Sequence, residues 1–157
     1  MRKRVLSPAE ERTAPPSDYW LPLEECTEVE ITSEDKAHPI EAALRAEGGS
    51  GWKADAPGKQ TIRFLFTNPQ HVKRIWLSFA EPEAERTQEY VVRWSADRGR
   101  SFRDAVRQQW NFSPRGATAE VEDHHVDLPA VTVLELSITP HTRGGTAIAS
   151  LEQLRIA

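Results

Sequence analysis

From residue 27 onward, apolar and polar residues alternate with a period of two. That is the spacing of a strand with one buried face. Residues 27–32 alternate Val29 and Ile31 with glutamates, and residues 60–67 place Ile62, Phe64 and Phe66 on one face. Residues 72–79 do the same with Ile75, Leu77 and Phe79, and residues 88–95 with Tyr90, Val92 and Trp94. Further strands are predicted over 101–107, over the acidic stretch 119–128, and over 131–139, where Leu134, Leu136 and Ile138 alternate. The last segment, 147–156, sets Leu151 out of phase with Leu154 and Ile156, an offset that predicts a bulge.

Asn68-Pro69 and Asp97-Arg98-Gly99 read as turns, and Pro140 and Gly144-Gly145 interrupt the pattern near the end. About eight strands with little helix between them predict an all-β sandwich or barrel, not a βαβ fold. One short helix is expected over 39–45, with Pro39 at its first position and Gly48-Gly49 as its stop. Residues 1–18 are charged and carry Pro8, Pro15 and Pro16, so they read as a flexible arm. Tyr19-Trp20 looks like an aromatic anchor that docks this arm onto a single domain spanning 19–157.

Composition narrows the function classes. A chain of 157 residues can bury one real core without disulfide staples. With 20 basic and 24 acidic residues the net charge is −4, which argues against a dedicated nucleic-acid surface. Cys26 is the only cysteine, so no internal disulfide forms and a reducing compartment suits the chain. No apolar leader and no membrane-length apolar run is present, so the expectation is a cytoplasmic protein without membrane contact.

Four pieces in order carry a family resemblance. They are 58–64 (Gly-Lys-Gln-Thr-Ile-Arg-Phe), 72–77 (Val-Lys-Arg-Ile-Trp-Leu), 90–102 with its Ser-x-Asp-x-Gly-x-x-Phe hairpin, and 149–156. Together they resemble the discoidin or coagulation-factor type C family and its carbohydrate-binding bacterial cousins, across roughly residues 28–157. The resemblance implies an eight-stranded jelly-roll sandwich of the galactose-binding-domain-like type, with ligands held by loops at one end. Many sugar-binding members hold a structural calcium. Here Arg45 stands where a hard cation wants a carboxylate, and Gln153 stands where the closing strand usually supplies a glutamate. No metal and no cofactor are therefore expected.

Several constellations could carry recognition. The stretch 107–116 combines Trp110 and Phe112 with two amides and two arginines. As a loop it would offer a ring to stack on a sugar face, with Asn111 and Arg115 to fork onto hydroxyls or carboxylates. Rings of this size are more often packed than exposed, so plugging the sandwich edge is the competing role. The resemblance also implies an arginine and a carboxylate from the loop before the Tyr90 strand, which are Arg86 and Glu81, and a contact from the early loop, which is His38. Each has a plainer reading as surface charge. Glu120, Glu122 and His124 share one strand face and read as a solvated charged face, with a transition-metal site as the alternative.

No nucleophile elbow, phosphate-cradling loop or His-Glu-x-x-His is present. The expected function is non-catalytic recognition of a carbohydrate or glycan-like ligand. A protein–protein adaptor on the same fold is the alternative, and the oligomeric state stays open.

Overall fold

The computed structural model describes residues 1–5, 20–45 and 49–157. Most of the arm expected over 1–18, and Tyr19, lie outside the described residues. The elements in chain order are α1 (Leu23–Cys26), β1 (Thr27–Ile31), α2 (Glu41–Leu44), β2 (Trp52–Pro57), β3 (Gln60–Ala80), β4 (Arg86–Ser95), β5 (Arg103–Phe112), β6 (Ala119–Thr139), β7 (Ile148–Leu151) and β8 (Gln153–Ile156). All strand pairs are antiparallel. The helix expected over 39–45 is present as the single turn α2, and α1 is a second single turn.

Two strands of 21 residues each organise the domain. β3 joins what reads in sequence as two strands, and β6 does the same. Neither turns back where the sequence suggests. At Asn68-Pro69 the pairing shifts from Leu65 opposite Val133 to Gln70 opposite Val131, and the ladder continues. Pro69 has no N–H to pair, so this is where the ladder can bend at least cost. Ala130, with φ of 54°, marks the matching bend on β6.

The bends fold one continuous ladder into two layers. The first layer runs β1, the front half of β3, the back half of β6, β4 and β5; the second holds the back half of β3, the front half of β6, and β8. Between them pack Ile62, Phe64, Leu134, Leu136, Ile138 and Val92 from one layer, and Ile75, Leu77, Phe79, Leu154 and Ile156 from the other. Phe79 and Tyr90 stack across the gap with ring centroids 5.2 Å apart. Each such side chain, fully removed from water, contributes about 1.5–3 kcal/mol. The result is a jelly-roll β-sandwich.

The offset in the closing segment is a change of partner at Glu152. β7 pairs with β2 and β8 with β3. The strand β2 has no counterpart among those expected from periodicity. Gly51, just before it, has φ of +75°, and an added Cβ would lie 2.6 Å from the Leu151 carbonyl oxygen and 2.9 Å from the Glu152 Cα. Gly51→Ala must therefore strain its own backbone and push apart the β2–β7 start. We expect it to lower the unfolding free energy by at least about 2 kcal/mol, read from chemical denaturation.

The aromatic anchor expected at 19–20 is represented by Trp20. The Arg74 guanidinium lies over its ring at 5.0 Å, and the Leu21 N–H donates to the Ile156 carbonyl at 2.7 Å. No helix among the described residues is long and apolar enough to cross a membrane.

Candidate functional site

The β4–β5 pair ends in a cleft of about 500 Å³ lined by Glu85, Arg86, Thr87, Asn111, Phe112, Ser113, His141 and Arg143. Strand register puts these groups together. Arg86 opposes Phe112 and Thr87 opposes Asn111 across the last two rungs of the ladder. The loop after β6 then folds over the strand ends, because the Thr142 N–H donates to the Thr87 carbonyl at 2.9 Å.

Arg86 is the centre of this corner. Its side chain is only 2% exposed. Nε donates to Glu81 at 2.8 Å, while Nη1 donates to the Pro140 carbonyl at 2.8 Å and to the Gln88 amide oxygen at 3.2 Å. The guanidinium also covers the Phe112 ring at 4.8 Å. Burial by itself would raise the Glu81 carboxyl, but hydrogen bonds from Arg86 and the Glu83 backbone hold it below its ordinary range. Arg86 and Glu81 thus form a largely internal pair that ties β4 to the loop after β6. Arg86 lines the cleft and Glu81 is paired to it, and most of their hydrogen-bonding capacity is spent inside the protein.

The walls are different. The Thr87 hydroxyl donates to Asn111 Oδ1 at 2.7 Å, which leaves the Asn111 amide N–H groups toward solvent. The Thr87 backbone N–H donates to His141 Nδ1 at 3.4 Å. With Nδ1 accepting, a neutral His141 carries its proton on Nε2. Arg143 is exposed on the same loop and makes no ion pair among the described residues.

Three candidates do not belong to the cleft. Trp110 is on strand β5 and not on a loop, and strand alternation turns it to the opposite face from Asn111. It is half-buried against the core beside Gln88, and its indole N–H has no partner. Trp110 thus packs at the edge of the sandwich, away from the cleft lining. Arg115 is exposed on the turn after β5, where the Gly116 N–H donates to the Ser113 carbonyl, and it does not line the cleft wall. His38 is held by Asp35 through Nδ1 at 2.9 Å, next to β2, and does not reach the cleft. That hydrogen bond holds the Asp35 carboxyl below its ordinary range.

The acidic face of β6 is also not solvated. Glu120 is 1% exposed, packed between the layers; its Oε1 accepts from Gln88 at 3.3 Å and its Oε2 has no partner. Burial first, and then the charge of Glu122, push the Glu120 carboxyl up to about 7. Burial lowers the His124 imidazole, and its Nε2 shares a 2.7 Å hydrogen bond with the Tyr90 hydroxyl. Burial likewise pushes the Tyr90 phenol up. No group of His, Cys, Asp or Glu among the described residues is arranged to hold a metal ion.

Periodicity could not reveal the Thr87–Asn111 rung or the 141–143 loop. The one available signal was the polar His-Thr-Arg tip between Pro140 and Gly144.

Residues 27–154 match the family model of the F5/8 type C domain, and the chain belongs to that family. That family is discoidin-like. Solved structures share the fold. The family 32 carbohydrate-binding module of NanJ from C. perfringens, in complex with galactose, is 18% identical over 87% of this chain and 96% of its own, with a TM-score of 0.59. A pectin-binding carbohydrate-binding module is 15% identical over 83% of this chain and 89% of its own, also at 0.59. The module of AlyQ in complex with 4,5-unsaturated mannuronic acid is 16% identical over 84% and 95%, at 0.55. No curated protein matches the sequence.

Proposed function

We propose that this domain binds a carbohydrate, without catalysis, in the cleft at the end of the β4–β5 pair. The observation that carries the reading is the set of outward polar groups there: the Asn111 amide, Ser113, His141 and Arg143, mounted on a corner made rigid by Arg86. A fixed frame with a few convergent polar groups is how small-ligand sites set orientation. The similar folds solved with galactose, with unsaturated mannuronic acid, and as a pectin-binding module support a saccharide ligand. Binding without catalysis fits the carboxylates: Glu85 is the only acid lining the cleft, and glycoside hydrolysis ordinarily needs a flanking pair.

The test is an NMR titration of isotope-labelled protein against neutral and acidic sugars. Expected are shifts clustered at Thr87, Asn111, Ser113 and 141–143. Asn111→Ala should weaken binding about tenfold while melting near the parent temperature. Trp110→Ala should lose stability but keep its affinity. Shifts centred on Trp110 or His38 instead would place the site elsewhere.

A further inference from the structure

We infer that the saccharide taken by this cleft is acidic, a hexuronate whose carboxylate is received by Arg143; this rests on the carbohydrate reading above. The cleft lacks what a neutral sugar needs most and has what a carboxylate needs. Its only benzene-type ring among the described residues is Phe112, which is 1% exposed and covered by the Arg86 guanidinium at 4.8 Å. No Trp, Tyr or Phe face is therefore open for a pyranose to stack on, and the large apolar contribution of such a ring is missing.

The remaining groups are mostly donors. Asn111 has its oxygen occupied by Thr87, so it presents N–H groups. His141 accepts at Nδ1, so it presents Nε2–H. Ser113 adds a hydroxyl. Glu81 is neutralised by Arg86, which leaves Glu85 as the single free acid on the rim.

Arg143 decides the charge of the ligand. It is exposed, unpaired among the described residues, and mounted on a backbone that is pinned twice to β4, through Thr142 to Thr87 and through Pro140 to Arg86. A guanidinium on a fixed stem can form two parallel hydrogen bonds to a carboxylate, which are roughly twice as strong as neutral ones. In a site with no stacking surface, that contact supplies most of the affinity. The neighbouring amide, imidazole and hydroxyl donors then read the ring hydroxyls.

The experiment compares D-galacturonate, D-galactose and acetate by NMR titration on the full chain and on Arg143→Gln. Galacturonate and galactose differ only at C6, where a carboxylate replaces a hydroxymethyl group. We expect galacturonate to bind at least tenfold more tightly than galactose, acetate to bind far more weakly, and Arg143→Gln to abolish the difference between the two sugars. An unchanged melting temperature of Arg143→Gln, expected for an exposed side chain, secures the comparison. Equal binding of galactose and galacturonate at the cleft would overturn the acidic ligand and leave the carbohydrate reading standing. Acetate as tight as galacturonate would overturn it in favour of a simple anion site. Failure of both sugars to shift any cleft residue would sink the carbohydrate reading and this inference together.

Discussion

Arg86→Ala is expected to lower the unfolding free energy by about 3–5 kcal/mol, the range for removing one partner of a buried ion pair. The guanidinium is the joint between three segments: Glu81 before β4, Gln88 on β4, and Pro140 after β6. Without it, the Pro140 carbonyl and the Gln88 amide oxygen lose a donor inside the protein, the Phe112 ring loses its cover, and the Glu81 carboxylate keeps its charge in a half-buried position. For a domain of this size the loss corresponds to roughly 6–20 °C in melting temperature. Arg86→Lys should recover only part of it, because a point charge cannot serve three acceptors in a plane. The pair also predicts an acid limb. Glu81 is held below its ordinary range, so the stability it contributes is present above its unfolded value near 4.5 and is lost as pH falls through its lower folded value. Arg86→Ala should flatten that limb. An Arg86→Ala protein as stable as the parent would mean that the internal pair contributes nothing, and that Arg86 is free for ligand.

The second large effect runs in the opposite direction. Glu120→Gln is expected to stabilise the protein, and to do so only at neutral and alkaline pH. The folded carboxyl titrates at about 7, against 4.5 in the unfolded chain. The folded state therefore holds more protons than the unfolded one between those values, and stability falls as pH rises through that window. A shift of that size is worth at most about 3 kcal/mol above pH 8. Glutamine cannot ionise, keeps an oxygen for Gln88, and gains an N–H for Glu122. The groups facing Glu120 are Gln88, Arg86, Glu122 and Tyr90; the Gln88 hydrogen bond and the Arg86 charge favour its ionised form, and burial together with Glu122 outweighs them. The measurement is chemical denaturation of both proteins at pH 5 and pH 8. Near-equal stability at pH 5 with a gain of about 2–3 kcal/mol at pH 8 is the expected pattern. A variant destabilised at both pH values would show that the ionised carboxylate is needed where it sits.

Both effects turn on residues whose charge looks ordinary in sequence. Glu120 and Glu122 stand in an acidic run whose pattern sets it facing water, and Arg86 sits among the glutamates of 81–89. What turned them inward is the folding of β3 and β6 over themselves, which brings the front half of β6 against the β4–β5 pair. The same folding explains the fate of Trp110. Its neighbours in sequence look like a recognition loop, but strand β5 extends to Phe112, and alternation sends Trp110 inward while Asn111 points out. Asn111 and Arg86 line the cleft, with Glu81 paired to Arg86; Trp110, Arg115 and His38 lie away from its lining.

What the chain determined by itself is the local half of the architecture. A period of two fixes which side of each strand is apolar, and that predicts an all-β sandwich or barrel with Ile62, Phe64, Phe66, Tyr90, Leu134 and Leu136 inside; all six are buried in the core of the sandwich. It also marks the breaks at Pro69 and at Glu152, since a missing N–H and a change of phase are local facts. Only the tertiary structure decided whether a break becomes a turn or a bend, because that depends on whether a partner strand bends at the same rung, as β6 does at Ala130. Only the tertiary structure built the cleft, for the same reason. Thr87, Asn111 and Arg143 are separated by tens of residues, and they meet through ladder register, one backbone hydrogen bond from Thr142 to Thr87 and one from the Arg86 side chain to Pro140, none of which a local pattern encodes.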